Sequence, residues 1–390
     1  MKNNNITSQS LMNEFAVQTG LTDLNTPNKR YLWTDAFAVC NFLHLYHQTG
    51  NPHYKKMAFL LIDSVHSVLG KYHPKENRKG YLSGLNETEA KEHPTIGGLR
   101  IGKPLTERAP NETYDEKLEW DRDGQYFHYL TKWMHALSQT AKATKELKYI
   151  RWAVELAKSA HKAFTYKMSD GSLRMYWKMS TDLSRPLVNS MGQHDALDAY
   201  ITYLQLRATA SSLGESADLF TEIEEASLMY KMISPETADP LGLGGLMSDA
   251  LRSAQLIIFY KLPLEELLLS LVHAAQNGLQ DFIQTQTLSY PPQYRLAFRE
   301  LGLSIGLHAI EQTFSLTNDH ADNFKQKEAL RVSLIQLSKY LPLANEIEKF
   351  WLLKEHQKVS SWTEHIDINS VMLATSLEPQ GFLDISPTPQ

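Results

Sequence analysis

Carboxylates recur in this sequence at the places where helical patterns begin. Trp33-Thr34-Asp35, Trp120-Asp121-Arg122-Asp123-Gly124, Gln193-His194-Asp195, Ser248-Asp249 and His365-Ile366-Asp367 each lead into an apolar run of helical spacing. An aspartate in such a place can cap the helix and answer its dipole. Beside a second acid or a histidine it can instead move protons. Asp121 and Asp123, two residues apart, cannot both cap one helix, which leaves one for a cavity or for Arg122. His194 and Asp198 are four apart and share a helix face, with Asp195 beside them. A protonated carboxylic acid facing an ionised one is the machinery of glycosidic cleavage. Trp33, Trp120, Tyr126, His128, His194 and His365 accompany the acids, and no capping rule requires them. Such rings can also simply pack, their heteroatoms satisfied.

Metal chemistry has little to build on. Asp121-Arg122-Asp123-Gly124 is like the start of a calcium loop, but Lys132 stands where a bidentate acid is needed. His128 and His135 have no zinc partners at useful spacing, and neither a His-Glu-x-x-His motif nor a P-loop is present. Gly242-Leu-Gly-Gly-Leu246 after Pro240 reads as a loop leading into a helix. No metal and no cofactor is expected.

The elements that would hold these groups are helices. Tyr31 to Thr49 carries Leu32, Ala36, Val39, Leu43 and Tyr46 at spacings of three to four, Gly50-Asn51-Pro52 breaks the pattern, and Tyr54 to Leu69 resumes it. This helical hairpin returns with Gly124 to Thr144 and Tyr149 to Phe164. Further pairs are read at 193–213 with 217–231, 246–260 with 264–286, and 293–316 with 324–341. Asn345 to Glu355 and Ile366 to Thr375 can supply a sixth. The intervals are unequal, and two long insertions, 71–119 and 168–191, each join a second helix to the next first helix. Unequal repeats with loops on one rim favour a closed all-α (α/α)6 toroid over an open solenoid. One domain over 1–390 is expected, with both insertions over the mouth where the acids gather.

Composition narrows the partners. A 390-residue chain that is 42% hydrophobic and 21% charged is globular, which excludes wholesale disorder. Net charge −5 and a pI near 6.3 leave no basic stripe for nucleic acid. Cys40, the single cysteine, lies in an apolar run and reads as a buried inert thiol, so no disulfide framework exists. Residues 1–7 show no apolar leader, and the sequons at Asn5, Asn86 and Asn111 read as chance. The most apolar stretch, Leu256 to Val272, is broken by Lys261, Pro263, Glu265 and Glu266 and is too polar to span a bilayer. A cytoplasmic protein without nucleic-acid or membrane partners is the expectation.

Two segments resemble a known superfamily. Tyr31-Leu-Trp-Thr-Asp-Ala-Phe-Ala38 with Thr49-Gly-Asn-Pro-His-Tyr54, and Leu118-Glu-Trp-Asp-Arg-Asp-Gly-Gln-Tyr-Phe-His128, are similar to the inner-helix starts of six-hairpin glycosidase-like proteins. That superfamily of (α/α)6 toroids holds glycoside hydrolases and, in a related group, sugar 2-epimerases. The resemblance implies a small-carbohydrate site at the mouth formed by inner-helix starts. A hydrolase would pair Asp35, Asp121 or Asp123 with Asp195 or Asp198. Sugar faces would stack on Trp33, Trp120, Trp177 or Trp362, while Arg100, Lys103 and Arg108 in the first insertion are either exposed loop charges or cations for an anionic substrate. An epimerase would rely on His128, His194 and His365 instead, and a non-catalytic scaffold would fill the mouth with side chains.

Overall fold

The computed structural model describes residues 6–23 and 25–387, so the 1–5 stretch and the Asn5 sequon lie outside the described residues. The chain is all-α with a few short strands and divides into two compact units, 19–234 and the residues up to 18 with 235–387. The first helix, α1 (Ser8–Gln18), belongs to the latter. No helix among the described residues is long and apolar enough to cross a membrane.

The 19–234 unit holds three helical hairpins. α2 (Leu32–Thr49) is buried along most of its length, from Leu32 to Leu43, because α3 (Pro52–Leu69) and the first helix of the next hairpin both pack on it. α3 is amphipathic, burying Tyr54, Met57, Ala58, Leu61, Ile62, Val65 and Leu69 at helical spacing. The short helices α4 (Glu87–Glu92) and α5 (Glu116–Asp121) lie in the first insertion. Strand β1 (Gln125–Tyr126) then leads into α6 (Phe127–Thr144), paired with α7 (Leu147–Phe164). The second insertion contributes β2 (Thr165–Lys167), β3 (Leu173–Met175), β4 (Lys178–Met179) and β5 (Pro186–Val188). α8 (Asp195–Ser212) and α9 (Phe220–Tyr230) close the unit, with α2, α6 and α8 packed side by side.

One expected boundary is wrong for a clear reason. The pattern puts a helix start at Gly124, but the helix begins at Phe127, because Gln125 and Tyr126 pair antiparallel with Met179 and Lys178. Asp121 therefore ends α5 and Asp123 lies in the connection, so neither starts a helix. The pairing belongs to a wider seam between the two insertions. Arg78 donates to Asp182 at 2.8 Å and to the Thr181 hydroxyl at 3.1 Å, Arg108 to the Leu187 carbonyl at 2.9 Å, and Gln125 bridges the carbonyls of Gly97 and Thr181.

The other unit contains α10 (Pro240–Tyr260) with α11 (Glu265–Gln284), α12 (Ala297–Asp319) with α13 (Lys327–Ser338), and α14 (Pro342–Leu352). α15 (Ser360–Thr363), α16 (Ile366–Leu377) and α17 (Gln380–Leu383) follow. Two expectations are corrected here. α16 packs mainly on α1 and α12, while α14 packs on α12, so α14 is not the main partner of α16. α10 starts at Pro240, capped by Asp239, whose carboxylate accepts from the Gly242 N–H at 2.9 Å. The glycine cluster is thus helical, and Ser248-Asp249 lies two turns inside.

The cluster has a packing reason. A Cβ on Gly244 would stand 2.0 Å from the Gly302 carbonyl oxygen on α12, so these two backbones touch. A Cβ on Gly245 would meet nothing within 4 Å. Gly244→Ala should therefore lower the melting temperature, by about 1–3 kcal/mol or more in stability. Gly245→Ala should hold or raise it, by up to about 1 kcal/mol, from helix propensity alone. Thermal melting of the two variants checks this, and equal effects would contradict the close approach.

Candidate active site

The start of α6 and the second insertion build a continuous aromatic surface. Trp177, just before β4, packs 5.0 Å from the Tyr126 ring and lies near-parallel to His128 at 6.4 Å. Tyr126 stacks on His128 at 5.4 Å, and Trp120 meets Trp177 edge-on at 5.1 Å. At the other end Tyr129 faces Tyr31, ring to ring at 5.6 Å and hydroxyl to hydroxyl at 2.7 Å. Burial raises the Tyr126 phenol well above its ordinary range, so Tyr126 stays protonated. Trp120 is 49% exposed and offers an open ring face.

A buried ion cluster underlies this surface. Lys178 is fully buried and donates to the Glu119 carboxylate at 2.9 Å and to the carbonyls of Glu119 and Arg122 at 2.7 and 2.9 Å. Its ammonium also lies 5.4 Å from the Tyr126 ring centre. Glu119 takes a second cation, Arg108, at 3.0 Å. Burial pulls the Lys178 ammonium below its ordinary value, against the opposing pull of Glu119.

Between α6 and α8 the polar side chains form rungs. His128 Nδ1 faces Asp195 Oδ1 at 3.6 Å. One turn along, Lys132 donates to both Asp198 oxygens at 2.9 and 2.8 Å, and the Thr131 hydroxyl donates to the same carboxylate. His135 with Gln205 and Ser138 with Thr209 continue the series. Residues 128 and 132 share one face of α6, and 195 and 198 one face of α8, so parallel neighbours bring them into register. Asp195 is 4% exposed, and its Oδ2 is buried with no hydrogen-bond partner. A Cβ on Gly192 would stand 2.4 Å from that oxygen, so any larger residue there would push the Asp195 carboxylate out of its present position.

The remaining sequence candidates divide by what holds them. Asp35 is 1% exposed: Oδ2 accepts from the Tyr31 N–H at 3.0 Å and Oδ1 meets Arg30 at 3.5 Å. Asp123 accepts from the N–H groups of Gly102 and Gly124 and pairs with Arg100. Arg100 also donates to the carbonyls of Val68 and Lys71, so all three groups are occupied in joining segments together. Asp121 is exposed at the end of α5. Trp33 is buried against Phe37 at 4.4 Å, and Trp362 is buried with its ring 5.7 Å from Trp351. His194 immediately precedes α8 and its side chain makes no cap bond. His365 lies in the other unit, immediately before α16, its ring 5.9 Å from Phe298. From sequence alone Lys132 and Tyr31 have no site role, and Tyr129 is only one of several polar-tipped rings on this helix. Lys132 enters the sequence reading only as the residue that breaks a calcium loop, although its place four after His128 puts both on one helix face. Among the described residues no three His, Cys, Asp or Glu side chains gather into a group able to hold a metal ion.

No family model matches this chain, and no curated protein matches it. Among solved structures it is similar to the cellobiose 2-epimerase of Spirochaeta thermophila DSM 6192, at 13% identity and a TM-score of 0.46, over 87% of this chain and 98% of that one. That likeness gives no residue a role.

Proposed function

We propose that the 19–234 unit carries an acid/base site for a reducing sugar, acting as an epimerase or isomerase, with His128 as the proton-transferring group. The observation that carries the reading is the His128–Asp195 pair on the aromatic surface, with one Asp195 oxygen still unpartnered. Asp195 faces Nδ1, so Nε2 is the edge left for substrate, and the carboxylate stabilises the imidazolium once formed. A separation of 3.6 Å is loose for a hydrogen bond, as catalytic contacts often are before substrate binds.

The chemistry follows from those groups. His128 takes the proton from the carbon beside the sugar carbonyl, the C–H electrons form the enediolate double bond, and the carbonyl pair moves onto oxygen. Return of the proton to the former carbonyl carbon, as the C2 hydroxyl proton passes to the oxygen there, gives the isomer; the epimer forms when the enediolate turns its other face to the His128 imidazolium before the proton returns to the same carbon. Lys132, held by Asp198 one turn from His128, supplies positive charge for the developing oxyanion. Trp120 and Trp177 take the apolar face of the sugar. Hydrolysis by paired carboxylates fits this geometry less well, because Asp35 and Asp123 already accept from backbone N–H groups and from arginines, and Asp198 holds Lys132.

The test is incubation with a panel of aldoses in deuterium oxide, following loss of the C2 proton signal by NMR and the appearance of a new sugar by chromatography. Hydrolysis of aryl glycosides with no exchange on any aldose would overturn the reading in favour of a hydrolase.

A further inference from the structure

We infer that this site selects a sugar bearing an anionic group, a carboxylate or a phosphate, and that Lys103 is the residue that reads it; the inference rests on the sugar-site reading above. Of the three insertion cations that could meet an anionic substrate, two are occupied. Arg100 is bound to Asp123 and two carbonyls, and Arg108 to Glu119 and the Leu187 carbonyl. Lys103 differs from both. Its ammonium has no hydrogen bond or ion pair among the described residues, although the side chain is only partly exposed. It lies 5.6 Å from the centre of the Tyr31 ring, whose hydroxyl bonds Tyr129, the neighbour of His128.

The backbone holds Lys103 in place. Leu32 donates to the Ile101 carbonyl at 3.0 Å, Ile101 to the Gly124 carbonyl at 2.9 Å, and Gly102 to Asp123 at 3.1 Å. The segment is thereby pinned between the start of α2 and the approach to α6. Pro104 next in sequence restricts Lys103 to extended conformations. A pinned, partly desolvated ammonium lacks the water that solvates a free surface lysine, so an anion reaching it forms a strong charge-assisted contact. Burial pulls the ammonium below its ordinary value while Asp121 and Asp123 act against that from longer range, in keeping with a cation short of acceptors. The rings of Tyr31 and Tyr129 stand between Lys103 and His128, which separates the group that is recognised from the carbon that reacts.

The test is calorimetric binding of glucose, glucuronate and glucose 6-phosphate to the full chain, repeated with Lys103→Met and Lys103→Arg. The two anionic sugars should bind about tenfold or more tighter than glucose, a preference weakened by added salt. Lys103→Met should remove the preference while leaving glucose affinity unchanged, and Lys103→Arg should restore most of it. Equal affinity for neutral and anionic sugars, or a preference that survives Lys103→Met, overturns the inference while the sugar-site reading stands. Failure of every sugar to bind overturns both.

Discussion

Replacing His128 with Gln should lower sugar proton exchange by roughly 10²–10⁴-fold, the usual worth of a positioned general acid/base group. Glutamine retains polarity and similar bulk but cannot carry the proton between pH 5 and 8. Binding should fall far less, because Trp120 and Trp177 remain. Asp195→Asn should lower kcat with little change in KM, since the amide keeps the volume beneath Gly192 but no longer stabilises a positive imidazole. A capping role for Asp195, the first residue of α8, predicts the opposite pattern. Asp195→Ala would then cost about 0.5–2 kcal/mol of stability with turnover kept. Melting temperatures and steady-state kinetics of the three variants separate these outcomes. Full exchange activity in His128→Gln would remove the proposed mechanism.

The hairpins were legible because burial imposes a period. An outer helix such as α3 repeats its apolar residues every three to four positions, and Gly50-Asn51-Pro52 marks its turn without ambiguity. The region before α6 was not legible, because its two-residue strand is set by Lys178 and Met179, more than fifty positions away. The same limit governs the site. Composition and spacing found Asp35, Asp123, Asp195 and Asp198 together, yet four similar acids meet three different fates. Asp35 and Asp123 turn back to backbone donors within their own neighbourhood, Asp198 meets Lys132 and Asp195 meets His128. Only the packing of α6 beside α8 separates the last two from the first two. The oxygen left over on Asp195 is a property of that packing and of Gly192, and neither shows in a helix-start motif.

Lys178→Met should cost about 2–4 kcal/mol, because it strips two buried carbonyls and one Glu119 oxygen of their donor at a fully buried position. Methionine fills much of the space but leaves the carbonyls of Glu119 and Arg122 without their donor. Glu119 keeps Arg108, so its charge is not abandoned. Arg108→Met takes away the other cation, whose side chain is 15% exposed, and Glu119 then keeps Lys178. That variant should cost clearly less. The difference extends to the site, since β4 carries Lys178 and directly follows Trp177, while Tyr126 pairs with Lys178 across the strands. Loosening β4 moves Trp177 and Tyr126 away from His128, so KM for the sugar should rise more than kcat falls. Tryptophan fluorescence, melting temperature and kinetics on both variants test the chain of cause. If Arg108→Met proves as costly as Lys178→Met, the buried cluster is not what anchors the aromatic surface.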